Sequence, residues 1–303
     1  MTKRRDRIEK LVAKGKSGEE IGRALGIDGG SARRLIRQVK TESGAKKTTV
    51  SHIMVPDCQI RPGVSTDFLT WVSHYIADRK PDVLVQIGDF ADMNSLSSYD
   101  VGKKAHEGKR YMADIATSNL AMERLMQYVP QSTRKVLTLG NHEDRIDRAV
   151  ESDAKLEGAL SIKDLNYEQF GFEVYPFLQP VVIDGVAYCH YFPRSASGTV
   201  GQTKRGAPNA RAQLIREGRS AVSGHQQGLD IACMPLGGVL QWGIIAGSAY
   251  PHFEKYLSPQ GNTHWRGILV FHEVHEGYFD LMTVSLSYLK RRYGHLTSKR
   301  RKT

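Results

Sequence analysis

A short apolar run over residues 135–139 ends in Gly140-Asn141-His142-Glu143-Asp144. A run of this length stopped by glycine reads as a buried strand. Its turn presents an amide, an imidazole and two carboxylates, groups that metal or acid–base chemistry needs and a structural loop does not. The pattern constrains the fold because it recurs. Residues 50–55 run into Pro56-Asp57-Cys58-Gln59, and residues 82–87 into Gly88-Asp89-Phe90-Ala91-Asp92. Residues 186–190 end on His190, and residues 221–223 run into Gly224-His225. Asp57, Asp89, Asn141, His190 and His225 thus each fall at the C-terminal end of an expected strand or just past it. In open α/β sheets that edge is where ligands bind. Singly, an Asp after a strand reads as a helix cap and a lone His as a core or surface residue. Five metal-competent side chains meeting at one edge read as a metal site.

Between these runs the apolar spacing turns helical, over residues 68–77, 109–128 and 144–167. Beyond residue 223 the chain is strand-rich, with further runs over 231–234, 239–246, 268–274 and 279–285. Strands separated by helices imply α/β layers, and the β-rich second half implies a mixed rather than wholly parallel sheet.

The formal charge of +11 is unevenly placed. Residues 1–47 carry a net +8 and residues 290–303 a net +7, which leaves the body at −4. A mildly acidic body with two basic ends suggests a catalytic core with polyanion-binding appendages; the plainer reading is solvated ends. No apolar run approaches the ~18 residues of a membrane span, and the basic N-terminus lacks an apolar h-region, so a cytoplasmic protein is expected. Cys58, Cys189 and Cys233 are too few and scattered for a disulfide framework or zinc ribbon, and are expected to fill buried space.

Residues 1–41 read as three short helices followed by a linker over 42–49, a body over 50–289 and a basic tail over 290–303. In the second helix Ser17 and Glu20 form a capping-box pattern, and the turn is Gly26-Ile27-Asp28-Gly29-Gly30. The third, over 31–39, sets Ala32, Leu35, Ile36 and Val39 on one side and Arg33, Arg34 and Arg37 largely elsewhere. This is helix-turn-helix-like, and the last helix would enter a DNA major groove. The alternative is a structural three-helix cap.

Taken in order, Asp57, Gly88-Asp89-Phe90-Ala91-Asp92, Gly140-Asn141-His142-Glu143 and Gly224-His225 resemble the motifs of the calcineurin-like metallophosphoesterases. With the N-terminal helices and basic tail, the chain is similar to phage-encoded members related to double-strand-break-repair nucleases. The resemblance implies a four-layer α/β/β/α sandwich and a two-metal site. Asp89 would bridge the metals. Asn141, His190 and His225 would complete one site, and Asp57, Gln59 and Gln227 the other. The family has His at both of those last positions; here both are Gln. Oxygen donors favour harder cations, so Mn²⁺ is expected, with Mg²⁺ as alternative and a single ion if this site is weak. His142 would protonate the leaving oxygen, and Asp92 would fix its tautomer unless it merely caps a helix. Glu143 and Asp144 are expected to cap the following helix.

The implied reaction is attack on a phosphodiester of DNA by a hydroxide shared between two ions. Arg194, Arg266 and the loops around residues 250–253 and 262–266 are candidates to face the phosphate. Residues 288–292 and Lys299, Arg300 and Arg301 would track the nucleic-acid backbone. The rivals are a phosphomonoesterase or protein phosphatase with the same site, and a DNA-binding regulator whose core has decayed through Gln59 and Gln227.

Overall fold

Runs rich in Val and Ile become strands because β-branched side chains pack well on a pleated surface and lose χ1 freedom in a helix. The computed structural model describes residues 11, 16–32, 35, 49–193, 208–254 and 259–298. The chain divides into two units, Met1–Thr48 and Thr49–Thr303.

In the first unit, α1 (Gly18–Leu25) starts on the expected capping box. Ser17 Oγ accepts the Glu20 amide at 3.3 Å, and Glu20 Oε2 accepts the Ser17 amide at 2.8 Å. Gly26 ends the helix in the left-handed region, and helical conformation resumes at Gly29, two residues before the expected start. Asp28 takes the cap there, accepting the Ser31 amide at 2.9 Å. Arg33, Arg34 and Arg37, like the helix expected before residue 11, lie outside the described residues.

The second unit holds eleven described strands. They are β1 (Val50–Val55), β2 (Val83–Gln86), β3 (Arg134–Thr138), β4 (Glu173–Tyr175), β5 (Val181–Ile183), β6 (Val186–Tyr188), β7 (Ala221–Ser223), β8 (Leu229–Leu236), β9 (Val239–Ala246), β10 (Gly267–His275) and β11 (Tyr278–Ser285). One sheet has the order β11-β10-β1-β2-β3-β4, the other β5-β6-β7-β9-β8. Strands β1 to β4 run parallel, and so do β6, β7 and β9, whereas β10, β11, β5 and β8 pair antiparallel. Both sheets are therefore mixed. The helices are α2 (Asp67–Arg79), α3 (Tyr111–Met126), α4 (Arg145–Ser152), α5 (Ala210–Glu217) and α6 (Leu286–Ser298).

Strand alternation sorts the core into layers. Ile53 and Val55 of β1 join Leu84, Leu137 and Val270 beneath Phe68, Val72 and Leu125 of α2 and α3 and Leu289 of α6. Met54, between them, points the other way and packs with Val85, Val136, Leu269, Tyr188, Val222 and Ile244 between the two sheets. On the far face Leu214 of α5 is buried close to Gly243 of β9. The result is helices, sheet, sheet and helix, a mixed α/β fold with two sheets flanked by helices, as expected.

A histidine is buried in this intersheet layer. His52 has no exposed surface; its Nδ1 lies 2.8 Å from the Tyr188 hydroxyl and its Nε2 3.0 Å from Asp184 Oδ2. Burial outweighs the attraction of Asp184 and holds the imidazole below its ordinary pKa.

Several expectations are corrected. The helix read over 144–167 stops at Ser152 and gives way to 3₁₀ turns at Ala154–Leu156 and Ile162–Leu165. Two short strands, β4 and β5, and helix α5 carry too little periodicity to stand out in the sequence. Cys58 and Cys189 are buried as expected, but Cys233 is exposed on β8. The boundary drawn at 289/290 falls inside α6, whose Tyr293 is buried and bonds Asp78 Oδ2 at 2.6 Å. Among the described residues no helix is long and apolar enough to cross a membrane.

Candidate metal centre and active-site cleft

Loops from β1, β2, β3, β6, β7 and β9 converge at one edge, and their main chains pair beyond the strand ends. The amides of Cys58 and Gln59 both donate to Asp89 O at 3.0 Å, Ile60 N donates to Phe90 O at 2.8 Å, and Asp92 N returns to Ile60 O at 2.8 Å. Asp57 bridges to Ser248 in the loop after β9. Glycines permit the closest approaches: a Cβ on Gly140 would fall on the Asp89 carboxylate, and one on Gly224 on the Asp57 carboxylate.

This edge brings together the seven expected ligand residues. Asp89, His190 and His225 offer ligand atoms within 4.8 Å of one another. Asn141 joins them: its Oδ1 lies 3.0 Å from His190 Nε2 and 2.8 Å from His225 Nδ1. His190 Nδ1 is 2.8 Å from the Ile87 carbonyl, which sets the ring and leaves Nε2 facing Asp89 Oδ1 at 3.4 Å. On the other side Asp57 Oδ1 accepts the His225 amide at 3.2 Å, and Gln59 Nε2 donates to Asp89 Oδ2 at 3.2 Å. The Tyr250 hydroxyl donates to Gln227 Oε1. Gln59, Asp89, His225 and Gln227 all have left-handed backbone (φ 49°, 50°, 66° and 60°), a conformation that costs a non-glycine residue of order 1 kcal/mol.

Two observations indicate that these residues fit cations. Asp57 Oδ2 and Gln59 Oε1 are buried oxygens without a hydrogen-bond partner, both on the glutamine-bearing side. The cluster also draws positive charge. Burial disfavours the imidazolium of His190, yet the charges of Asp89 and Asp57 push it up to about 9. Burial pushes Asp57 up to about 7, with Asp89 adding to the rise. Asp89 is pushed up by burial too, but His142 and His190 outweigh it and hold this carboxyl well below the ordinary range. His225, desolvated and beside His190, falls to about 4.

His142 lies next to the cluster rather than within it. Its amide donates to Asp89 Oδ1 at 3.0 Å, and its Nδ1 is 2.9 Å from Asp92 Oδ1. Burial pushes the Asp92 carboxyl up, but His142, Arg145 and Arg61 hold it at about 2. Burial lowers His142, and Asp89 and Asp92 more than restore it, against Arg145. Asp92 caps no helix.

Two residues that sequence reading passed over, Arg61 and Arg145, and one whose role it misjudged, Glu143, complete this arrangement. Arg145 Nη1 donates to Asp92 O at 2.7 Å, and its Nη2 is 3.2 Å from His142 Nε2. Arg61 Nη1 is shared by Asp92 Oδ2 at 2.8 Å and Glu254 Oε1 at 2.6 Å. Glu143, expected to cap α4, instead turns inward with no exposed surface. It accepts the amides of Asp89, Ala91 and Gly140, each at 2.9 Å, and the Tyr167 hydroxyl at 3.2 Å. Asp144 stands at the N-cap position of α4, but its side chain makes no capping bond and pairs instead with Arg148 at 2.9 Å. A lone arginine, whether in a loop like Arg61 or at a helix start like Arg145, leaves no mark in a single sequence, whereas the Gly-Asn-His-Glu run marks Glu143 as unusual.

The cluster opens into a cleft of about 780 Å³ whose walls include Arg61, Lys103, Lys109, Arg145, Asp92 and Glu254. Arg266 is not among the lining side chains; its guanidinium lies 5.2 Å from the Tyr250 ring centroid and 5.8 Å from that of Phe253. Arg194, Lys299, Arg300 and Arg301 lie outside the described residues. Residues 288–292 lie on α6.

No curated protein matches the chain by sequence. Among solved structures, TT1561 of Thermus thermophilus is 9% identical and aligns over 79% of this chain and 100% of its own, at a TM-score of 0.38. Another crystal structure is 11% identical over 78% of this chain and 100% of its own, at 0.41. The sequence profile of the calcineurin-like phosphoesterases matches residues 52–225, more than half of the chain, running from just before Asp57 to His225. The chain belongs to the calcineurin-like phosphoesterase family.

Proposed function

We propose that this chain is a divalent-metal-dependent phosphodiesterase that cleaves DNA. The observation that carries the reading is the cleft: Arg61, Lys103, Lys109 and Arg145 line the same space as His142, Asp89 and His225, with Asp92, Asp100 and Glu254 among them as ion-pair partners of Arg61, Lys109 and Arg145. Cationic side chains beside the metal-competent cluster suit a phosphate ester, and a cleft of about 780 Å³ has room for more than a small monoester.

Asp89, Asn141, His190 and His225 would hold one cation, and Asp57, Gln59, Asp89 and Gln227 a second, with Mn²⁺ preferred and Mg²⁺ as alternative because the second set is all oxygen. Bound there, the cations supply Lewis-acid polarisation of the phosphoryl oxygens and lower the pKa of water. His142 carries the proton for the leaving oxygen at Nε2, while Asp92 holds Nδ1 and so fixes which nitrogen faces the cleft. Arg145, which rests against Nε2, must release it for that transfer, and the departing guanidinium is positioned to take a phosphoryl oxygen. Arg61 stays anchored between Asp92 and Glu254 and keeps Asp92 ionised. The N-terminal Arg33, Arg34 and Arg37, with Arg194, Lys299, Arg300 and Arg301, add non-specific affinity for the nucleic-acid backbone.

The test is turnover of bis(p-nitrophenyl) phosphate against p-nitrophenyl phosphate in Mn²⁺, followed by a labelled DNA duplex with a recessed end. Preference for the diester and degradation of the duplex are expected. A strong preference for the monoester overturns the nuclease reading in favour of a phosphatase.

A further inference from the structure

Tyr99 and Phe253 are the two most exposed aromatic residues among those described, at 59% and 69% of their surface, and both line the cleft that holds His142. They come from different loops. Tyr99 lies between β2 and α3, next to the Asp100–Lys109 ion pair; Phe253 lies between β9 and β10, next to Glu254. The other exposed aromatic rings among the described residues, Tyr128 and Tyr288, are each only 39% exposed and lie outside this lining, so the most exposed aromatic surface faces the cleft. Phe253 is also braced: the Arg266 guanidinium, which donates to Asn262 O at 3.1 Å, lies over its ring and that of the buried Tyr250. A ring steadied from behind offers its other face with little rotamer freedom to lose.

We propose that Tyr99 and Phe253 form a base-stacking clamp at the mouth of the cleft, and that the enzyme therefore engages an unpaired nucleotide beside the scissile phosphate: a single strand or an opened strand end. The inference rests on the phosphodiesterase reading and narrows its substrate. Inside a duplex both faces of a base are covered by its neighbours, so away from a blunt terminus a base must leave the stack before it can lay a face on an aromatic ring. Basic side chains of the cleft hold the phosphates, the clamp takes the base, and sequence is not read, because every base has a π-face.

The test uses the full-length protein and a short single-stranded DNA carrying one 2-aminopurine, whose fluorescence is quenched on stacking, in EDTA so that binding is read without turnover. Quenching on binding is expected in the unmodified protein. It should fall sharply in Phe253→Leu and Tyr99→Leu, which keep apolar bulk without a ring, and return in Phe253→Trp. Replacing the stacked nucleotide by an abasic residue should weaken binding about tenfold or more, the order expected for one base–aromatic contact, and this discrimination should collapse in the leucine variants. Absence of quenching, with equal affinity for normal and abasic strands, overturns the clamp even if DNA is cleaved. Failure of any divalent cation to support diester hydrolysis, with quenching intact, instead overturns the phosphodiesterase reading and leaves the clamp as a binding device.

Discussion

The buried Glu143 carboxylate accepts the backbone amide of Asp89 at 2.9 Å, tying the loop after β3 to the loop that carries the central metal-competent carboxylate. Through the amides of Gly140 and Ala91 and the Tyr167 hydroxyl the same carboxylate spans both loops. Glu143→Gln keeps the size but turns an NH₂ toward donors that need an acceptor. It should cost about 2–3 kcal/mol of stability, the expense of leaving buried donors unmet. Urea denaturation measures this; a loss below ~0.5 kcal/mol would show that the Glu143 hydrogen bonds contribute nothing.

His142→Ala should lower turnover of a phosphodiester by about 10²–10⁴-fold, the usual contribution of a positioned acid. Calorimetric Mn²⁺ binding should change little, since the side chain stands beside the ligand cluster. Asp92→Asn should act in the same direction but less strongly. Loss of metal binding in His142→Ala would reassign the residue as a ligand.

Gln59→His together with Gln227→His should shift selectivity toward Zn²⁺ over Mn²⁺, because imidazole nitrogen suits the softer ion. Competition between the two metals, followed by calorimetry, reads this without reference to activity. An unchanged ratio would mean that positions 59 and 227 do not contact a cation.

His52 sets a pH dependence remote from the cleft. Its folded pKa is depressed below 6.5, so the unfolded chain takes up the proton first as pH falls. Stability is thus complete above that value and declines through the window between it and the lower folded pKa, by up to about 1.4 kcal/mol per pH unit. Denaturation of the native protein and of His52→Gln at several values from neutral to mildly acidic should show the steeper decline in the native chain. Parallel curves would contradict the assignment.

Replacing Arg33, Arg34 and Arg37 together by Gln should weaken binding to duplex DNA and flatten its salt dependence, as expected for lost phosphate contacts. Titrations at about 50 and 200 mM salt check both effects. Identical affinity and slope would remove the N-terminal segment from DNA binding.

The strand ends are legible because each combines a buried apolar run, a stop and a polar residue too costly to place there without use. Hence the spans of β1 and β9 match the sequence reading to the residue, and the loops bearing Asp57, Asp89, Asn141, His190 and His225 stand out. Length fails where tertiary packing decides. The pattern after Asp144 suggests a helical region to about residue 167, yet α4 ends at Ser152 and only short 3₁₀ turns follow. Three-residue strands such as β4 and β5 show no period at all. Glu143 looks like a cap because acidic residues favour helix starts, and only the position of the neighbouring loop reveals that its partners are the amides of Asp89 and Ala91. Arg61 and Arg145 matter through what they meet in space, which spacing along the chain does not encode.

The main-chain pairing of the loops has a consequence for how such a centre can change. Asp57, Gln59, Asp89 and Asp92 ride on a ladder in which Cys58, Gln59, Ile60 and Asp92 are joined by backbone hydrogen bonds alone. The ladder itself is thus built of atoms common to every residue, braced by the Glu143 carboxylate, and the ligand side chains are exchangeable pins set in it. A lineage can swap imidazole for amide at one pin after another, and so move between metals, without ever having to refold the frame.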